Sequence, residues 1–176
     1  MVEQRGNRVV VAFSWKDKAD RRHEWAQVLE LAMAGRIQAV AGVHTSTVRE
    51  SLASAIGGAI PYIYNALYEG GEQRPGVFVT GETPETQLLP AMTLLAGERR
   101  ISRWALVGND YVWPRGTANT IRGHLATTGS GTLVDEMYVP LGTSNFDAQL
   151  DRLERSTATA GVGLLVGQDA VEFHRQ

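Results

Sequence analysis

Short runs of β-branched and other apolar residues alternate with longer stretches of helical period along the chain. That alternation predicts an α/β organisation, with mostly parallel sheet covered by helices on both faces. Residues 8–14 (RVVVAFS) form a near-continuous apolar run of strand length, followed by a charged Lys16-Asp17-Lys18 turn. Trp25, Val28, Leu29 and Ala32 then fall at i, i+3, i+4 and i+7, the spacing of one helical face. Gly35 stands where a helix ends, and residues 37–43 (IQAVAGV) read as the next buried strand. A helix over 47–56, a strand over 60–64, a polar Gly-rich surface loop over 69–76 and a short strand over 77–80 follow. Thr83 is a helix N-cap and Pro84 the first helical residue of a segment running to about Glu98, in which Pro90 marks a kink or the true start. Strands over 102–108, 132–139 and 162–166 and helices over 117–127 and 146–156 complete seven strands and five helices.

The natural internal boundary is residues 79–87, where a short strand flanked by Gly81 and Pro84 separates one β/α set from the next. It divides the chain into two partial lobes, 1–82 and 83–176. The length of 176 residues suits one domain or two very small ones, and 43% apolar content suits a packed core. Seventeen Lys+Arg against nineteen Asp+Glu give a net charge of −2, so no positive excess exists to hold nucleic acid or an anionic membrane surface. The absence of cysteine excludes disulfides, thiolate metal sites and cysteine nucleophiles, and leaves the redox compartment open. No apolar run approaches the roughly 18 residues of a membrane span, so no membrane insertion is expected. The first seven residues lack an apolar signal core, so the chain as written reads as cytoplasmic. A chain trimmed of its leader would read the same, which keeps a periplasmic or extracellular location as the alternative.

In open parallel sheets the crevice lies beyond the carboxyl ends of the strands, so the residues after each strand are the candidates for chemistry. After the strand ending near Val43 comes His44-Thr45-Ser46-Thr47-Val48-Arg49-Glu50, in which Thr47 and Glu50 have capping-box spacing and Ser46 precedes the cap. A hydroxyl there stands beside helix N-terminal N–H groups that suit a carbonyl or carboxylate, and equally serves simple capping. Tyr62, Tyr64 and Tyr68 make the next turn rich in tyrosine. Tyr111 and Trp113, two apart after the strand over 102–108, share one face if the chain is still extended; they line a ligand wall or pack under a loop.

Catalytic patterns are weak. His23, His44, His124 and His174 are scattered, with no HExxH spacing, so no metal is expected. His44 with Ser46 lacks the G-x-S-x-G elbow and an orienting acid. Gly161-Val162-Gly163 begins a strand instead of following one, and no Walker A pattern occurs. No cofactor is implied and the chain reads as a non-enzyme. His23, His124, Arg99-Arg100 and Asp151-Arg152 read as surface or boundary groups without a function.

The stretches AGVHTSTVRE (41–50), YNALYEG (64–70) and above all VGNDYVWPR (107–115), continuing through Asn119 and Leu125 into GTLVDEMYVPLG (131–142), carry a resemblance. The chain resembles the type I periplasmic-binding-protein fold from about Val9 to Arg175. Within it the likeness is to the amide- and urea-binding group: the amide sensor of amidase operons and the receptors of urea and short-chain-amide ABC transporters. The resemblance implies Rossmann-like sheets in an incomplete two-lobe arrangement, with the family's first strand and helix and the closing part of its second lobe missing. It further implies a ligand held by Ser46, Tyr64, Tyr111 and Trp113 converging on one hollow. His44 stands where the amide sensor has an aromatic, and Gln168 where the family carries a small hydroxyl-bearing residue; both are candidate ligand contacts.

The expected function is non-catalytic binding of an amide, urea or short amino acid, for transport or for sensing, with lobe closure about residues 79–87 as its signal. A structural or protein-interaction module that keeps the fold without the ligand is the alternative. The expected partners are the small molecule, an ABC transporter permease or a regulatory protein, and a second copy of the chain covering exposed sheet edges. Direct nucleic-acid contact is not expected.

Overall fold

In the computed structural model the backbone is described for residues 2–5, 8–11 and 22–176, and side chains from Val28 onward. Contacts divide the chain into two compact units, Met1–Glu82 and Thr83–Gln176.

The first unit opens with β1 (Val2–Arg5) and β2 (Arg8–Val11), paired antiparallel in a two-stranded sheet of their own. This corrects the reading of residues 8–14 as the first member of a parallel set. Apolar content alone does not reveal which neighbour a strand pairs with; residues 12–14 lie outside those described. Helix α1 (Arg22–Met33) follows, and its Val28 is buried while Ala32 packs on the core, as the helical spacing predicts; Leu31, outside that spacing, packs there where Leu29 was expected. The side chain of Trp25 lies outside the described residues.

Next come β3 (Val40–Gly42), α2 (Ser46–Ile56), β4 (Tyr62–Tyr64) and β5 (Val77–Val79). These strands form a parallel sheet in the order β3-β4-β5, in register from Val40 opposite Tyr62 to Tyr64 opposite Val79. The predicted buried strand over 37–43 shrinks to three residues at a sheet edge, Ala41 exposed between half-buried Val40 and Gly42, with Ile37 buried ahead of it and Val43 exposed beyond it. Leu52, Ala53 and Ile56 of α2 close over Tyr62, Tyr64 and Tyr68; each fully buried aliphatic side chain contributes about 1.5–3 kcal/mol. The loop after β4 lies so close to the chain after β5 that a Cβ at Gly81 would stand 1.8 Å from the Ala66 carbonyl oxygen, which explains glycine there.

The second unit begins with α3 (Pro84–Gln87) and α4 (Leu89–Arg99). They form one predicted helix broken at Leu88, with Pro90 in the first turn of the second piece, where its missing N–H is not needed. Strand β6 (Arg103–Asn109) is the centre of a parallel sheet in the order β7-β6-β8, between β7 (Thr132–Val139) and β8 (Ala160–Leu164). From Trp104 to Asn109 every β6 residue is buried, the pattern of a strand covered on both faces.

Helix α5 (Val112–Thr128) begins five residues before the predicted start at Thr117, because Pro114 sits in its first turn and does not end it. Its Ala118, Ile121 and Leu125 pack with Trp104 and Leu106. Helix α6 (Asp147–Arg155) falls within the predicted span, and α7 (Gln168–Arg175) was not anticipated. The described residues therefore hold eight strands and seven helices where seven and five were read. No helix among them is long and apolar enough to cross a membrane.

Candidate functional site

In the first unit the side chains of interest gather after the carboxyl ends of β3 and β4. The chain leaves β3 at Gly42, and the next helix takes Thr45 as N-cap and Ser46 as its first residue. The predicted capping box of Thr47 with Glu50 is not formed: both lie inside the helix, and no side chain caps it. The Val48 and Arg49 N–H groups donate to the Thr45 carbonyl, each at 3.0 Å, so no side-chain acceptor occupies the helix N-terminus. Ser46 is 1% exposed and its Oγ makes no hydrogen bond by geometry, although it lies close enough to the Tyr64 phenol to affect its titration.

Tyr62 and Tyr64, two apart on β4, share one face. Tyr64 donates its hydroxyl hydrogen to the His44 carbonyl at 2.6 Å, tying the ring across to the chain after β3. The His44 ring stacks on Tyr62 with centroids 6.0 Å apart and lies 5.1 Å from the Tyr64 ring. His44 Nδ1 meets the Thr45 carbonyl at 3.3 Å, and since a carbonyl only accepts, Nδ1 carries the hydrogen. Nε2, 2.8 Å from the Tyr62 hydroxyl, then accepts. Burial lowers the His44 pKa, the Thr45 carbonyl opposes that and Arg49 adds to it, so the ring is a neutral part of an aromatic wall. Burial likewise pushes the Tyr64 phenol up, while Ser46 and Arg49 pull it back.

Beneath this wall is a buried charge cluster that sequence reasoning missed. Arg49, 2% exposed, pairs with Glu69 and Glu72, and its guanidinium carbon lies 5.2 Å from the Tyr68 ring centre and 5.7 Å from that of Tyr64. Arg74 holds Glu72 through its Nε at 2.7 Å and its backbone N–H at 3.0 Å, and this drops the Glu72 pKa to about 2. An open cavity of about 530 Å³ is lined by Arg49, Glu69, Glu72, Arg74 and the intervening loop. Arg49 was read only as part of a capping stretch, and residues 69–76 only as a surface loop; the lone signal was two acids and a base in a short Gly-rich link.

In the second unit β6 ends at Asn109, which is fully buried. Its Nδ2 donates to Asp169 Oδ2 at 2.7 Å and its Oδ1 accepts the Val166 N–H at 2.9 Å. Asp169 Oδ2 also accepts the Gly142 N–H at 2.9 Å. This brace links the end of β6, the turn after β7 and the start of α7. Tyr111 then caps α5 in an extended conformation, so Trp113 lies in the first helical turn and not on an extended chain as the face argument assumed. Trp113 is 9% exposed and belongs to the core of its unit; Tyr111 is half-buried, its ring 6.2 Å from that of Trp113. Arg115 donates through Nε to Asp110 at 2.6 Å and lies 4.2 Å over the Tyr138 ring. Gln168, the first residue of α7, is exposed and donates to Glu172 at 2.5 Å.

Ser46, Tyr64 and His44 are thus brought together in the first unit, and Tyr111 and Trp113 in the second, with Gln168 turned to its own helix. Among the described residues no group of three or more His, Cys, Asp or Glu side chains is arranged to hold a metal.

A family model described as periplasmic binding protein matches residues 3–176. The chain belongs to the periplasmic binding protein family. Among solved structures, it resembles an ABC-transporter solute-binding protein of Rhodopseudomonas palustris HaA2 in complex with p-hydroxybenzoic acid (TM-score 0.72, 19% identity, 93% of this chain and 45% of that one). It also resembles an ABC-transporter substrate-binding protein of Sphaerobacter thermophilus (TM-score 0.71, 21% identity, 90% and 45%). A third is an amino-acid ABC-transporter substrate-binding protein of Pseudomonas fluorescens Pf-5 (TM-score 0.65, 15% identity, 88% and 43%). This family member therefore spans a little under half the length of the solved structures it resembles. Family membership agrees with the α/β periplasmic-binding-protein-like fold, its sheets mostly parallel.

Proposed function

We propose that the chain binds a compact polar solute, an amide, urea or short amino acid, without transforming it, as the ligand-binding part of an ABC transporter receptor or of a sensing regulator. The observation that carries this reading is the buried Ser46 hydroxyl, without a hydrogen-bond partner at an α2 N-terminus that no side chain caps. A ligand carbonyl or carboxylate satisfies that hydroxyl together with the first-turn N–H groups that the Thr45 carbonyl does not already take, with Tyr64 and His44 enclosing its body. Tyr111 and Trp113 are proposed as ligand contacts within the second unit. Support comes from the solute-binding neighbours, one in complex with p-hydroxybenzoic acid and another an amino-acid ABC-transporter protein. The amide preference rests on the likeness of the turns after β3, β4 and β6.

The test is a thermal-shift panel of acetamide, urea, glycine, alanine and 4-hydroxybenzoate. A saturable rise in melting midpoint, following RT ln(1 + [L]/Kd), is expected with one of the first four and lost in Ser46→Ala. A flat response to the whole panel, or an unchanged one in Ser46→Ala, overturns the proposal. A second reading, an interaction module, is favoured by Phe78, 55% exposed in the middle of β5 at the edge of its sheet. That reading expects the flat response together with concentration-dependent self-association.

A further inference from the structure

We propose that Arg49 is a positioning residue, a clasp that grips Glu69 and Glu72 and braces the Tyr64 and Tyr68 rings so that Ser46 and Tyr64 are presented to a ligand. The inference rests on the binding role proposed above and adds a group that touches no ligand itself.

The loop shows why a clasp is needed. Gly70, Gly71 and Gly76 have φ of +90°, +74° and +75°, a region that costs most other residues free energy and that leaves glycine many alternatives. Its backbone hydrogen bonds stand at its two ends: Tyr68 N–H to the Glu82 carbonyl just before it, and at its close Val77 N–H to the Arg74 carbonyl and Tyr62 N–H to the Gly76 carbonyl. Between them the loop is tied to the fold by side chains: Glu69 and Glu72 to Arg49, and Arg74 to the Glu50 carbonyl at 3.3 Å. Arg49 is the anchor because α2 fixes its backbone. Its planar fork reaches two carboxylates at once, and its face lies against two rings.

Simple stabilisation is a poor account of this cluster. Desolvating a guanidinium and two carboxylates offsets most of their attraction, and well-packed apolar residues often serve stability equally well. What the charges add is direction. They fix which way the loop leaves β4, and so where the Tyr64 ring stands beside Ser46. The cluster supplies its own counter-charges, two arginines against Glu69, Glu72 and, 3.9 Å from Arg49, the more exposed Glu50, so the clasp needs no ligand charge to close.

The experiment compares the full chain with Arg49→Met, Arg49→Lys and Glu69→Gln by three readouts. Hydrogen exchange over residues 69–76 is expected to quicken at least about tenfold in the Met and Gln variants, with α5 as an unaffected internal control. Tyrosinate absorbance, assigned with Tyr64→Phe, is expected to move to higher pH without Arg49, whose charge holds the phenol down. Acetamide affinity is expected to fall about tenfold in Glu69→Gln while the ligand-free melting midpoint stays near that of the parent, with Arg49→Lys in between. Wild-type exchange in both Glu69→Gln and Arg49→Lys overturns the clasp, as does acetamide affinity that falls only in step with the melting midpoint. Should Arg49→Met fail to fold, the other two variants decide. A parent protein that ignores every solute overturns the proposed function instead, and exchange and titration still judge the clasp.

Discussion

Replacing Asn109 by alanine removes the centre of the brace in the second unit, and the cost follows from what is left behind. Two of the three brace hydrogen bonds disappear, at 2.7 and 2.9 Å, one of them to a carboxylate. A hydrogen bond to a charged group contributes about 1.5–3 kcal/mol and a neutral one about 0.5–1.5. With some allowance for the void left by a fully buried side chain, the expected loss is about 3–5 kcal/mol, a large share of a small domain's stability. Asn109→Asp keeps the volume but sets a second carboxyl 2.7 Å from that of Asp169. Two carboxylates at that distance cannot both ionise, so one holds a proton well above the usual carboxylate range. The sign follows: the Asp variant is most stable in acid, where the shared proton is present, and loses stability as pH rises through that raised pKa. Urea denaturation at pH 4.5 and 7.5, followed by amide exchange in β6 and β8, measures both effects. The alanine variant should lose stability about equally at the two pH values, and the Asp variant mainly at the higher. An Asp variant with the same deficit at both would refute the assignment of the Asn109–Asp169 contact as a direct hydrogen bond.

Glu72, with a pKa of about 2 against an ordinary 4.5, contributes stability that is present above pH 4.5 and lost as pH falls through 2. Discounted for the partly exposed Arg74, this is about 1–2 kcal/mol, and urea midpoints between pH 6 and 2 should fall more steeply in the parent than in Glu72→Gln. Gly81→Ala must push the Ala66–Leu67 backbone away, so the first unit should lose about 2–4 kcal/mol; a melting midpoint within one or two degrees of the parent contradicts that packing. Tyr64→Phe removes the 2.6 Å hydroxyl contact to the His44 carbonyl, and should quicken amide exchange at residues 44–47 without disturbing β6–β8.

The parts of the molecule that sequence revealed share a physical trait: their signal is local. Strand β6 is a run of apolar residues and needs no partner to be recognised. Pro84 and Pro90 mark helix starts because proline is restricted within its own residue. The misreadings arise where pairing or register decides. The β1–β2 hairpin depends on a partner strand that composition does not name. The capping box failed because Thr45, two residues earlier, already turns the chain into helix. Helix α7 went unread because its helical period is short, eight residues, and its one deeply buried side chain is an aspartate, which looks like surface until Asn109 is found 60 positions away.

The same reasoning explains why the candidate site was legible only in part. Ser46, Tyr64, Tyr111 and Trp113 stand just after strands, where an α/β sheet collects its chemistry, so position alone nominated them. The residues that hold such positions still are polar and distant in sequence: Arg49 with Glu69 and Glu72 in the first unit, Asn109 with Asp169 in the second. Each unit thus covers its hydrophobic layers with one buried polar network beyond the carboxyl ends of its parallel strands. Apolar packing cannot supply that function, because contacts between methyl groups are nearly indifferent to direction, whereas a guanidinium fork or a carboxamide satisfies its partners only in one arrangement. The networks are therefore where substitution should alter the site's geometry most for a given change in stability, and where measurements of binding and of unfolding should diverge.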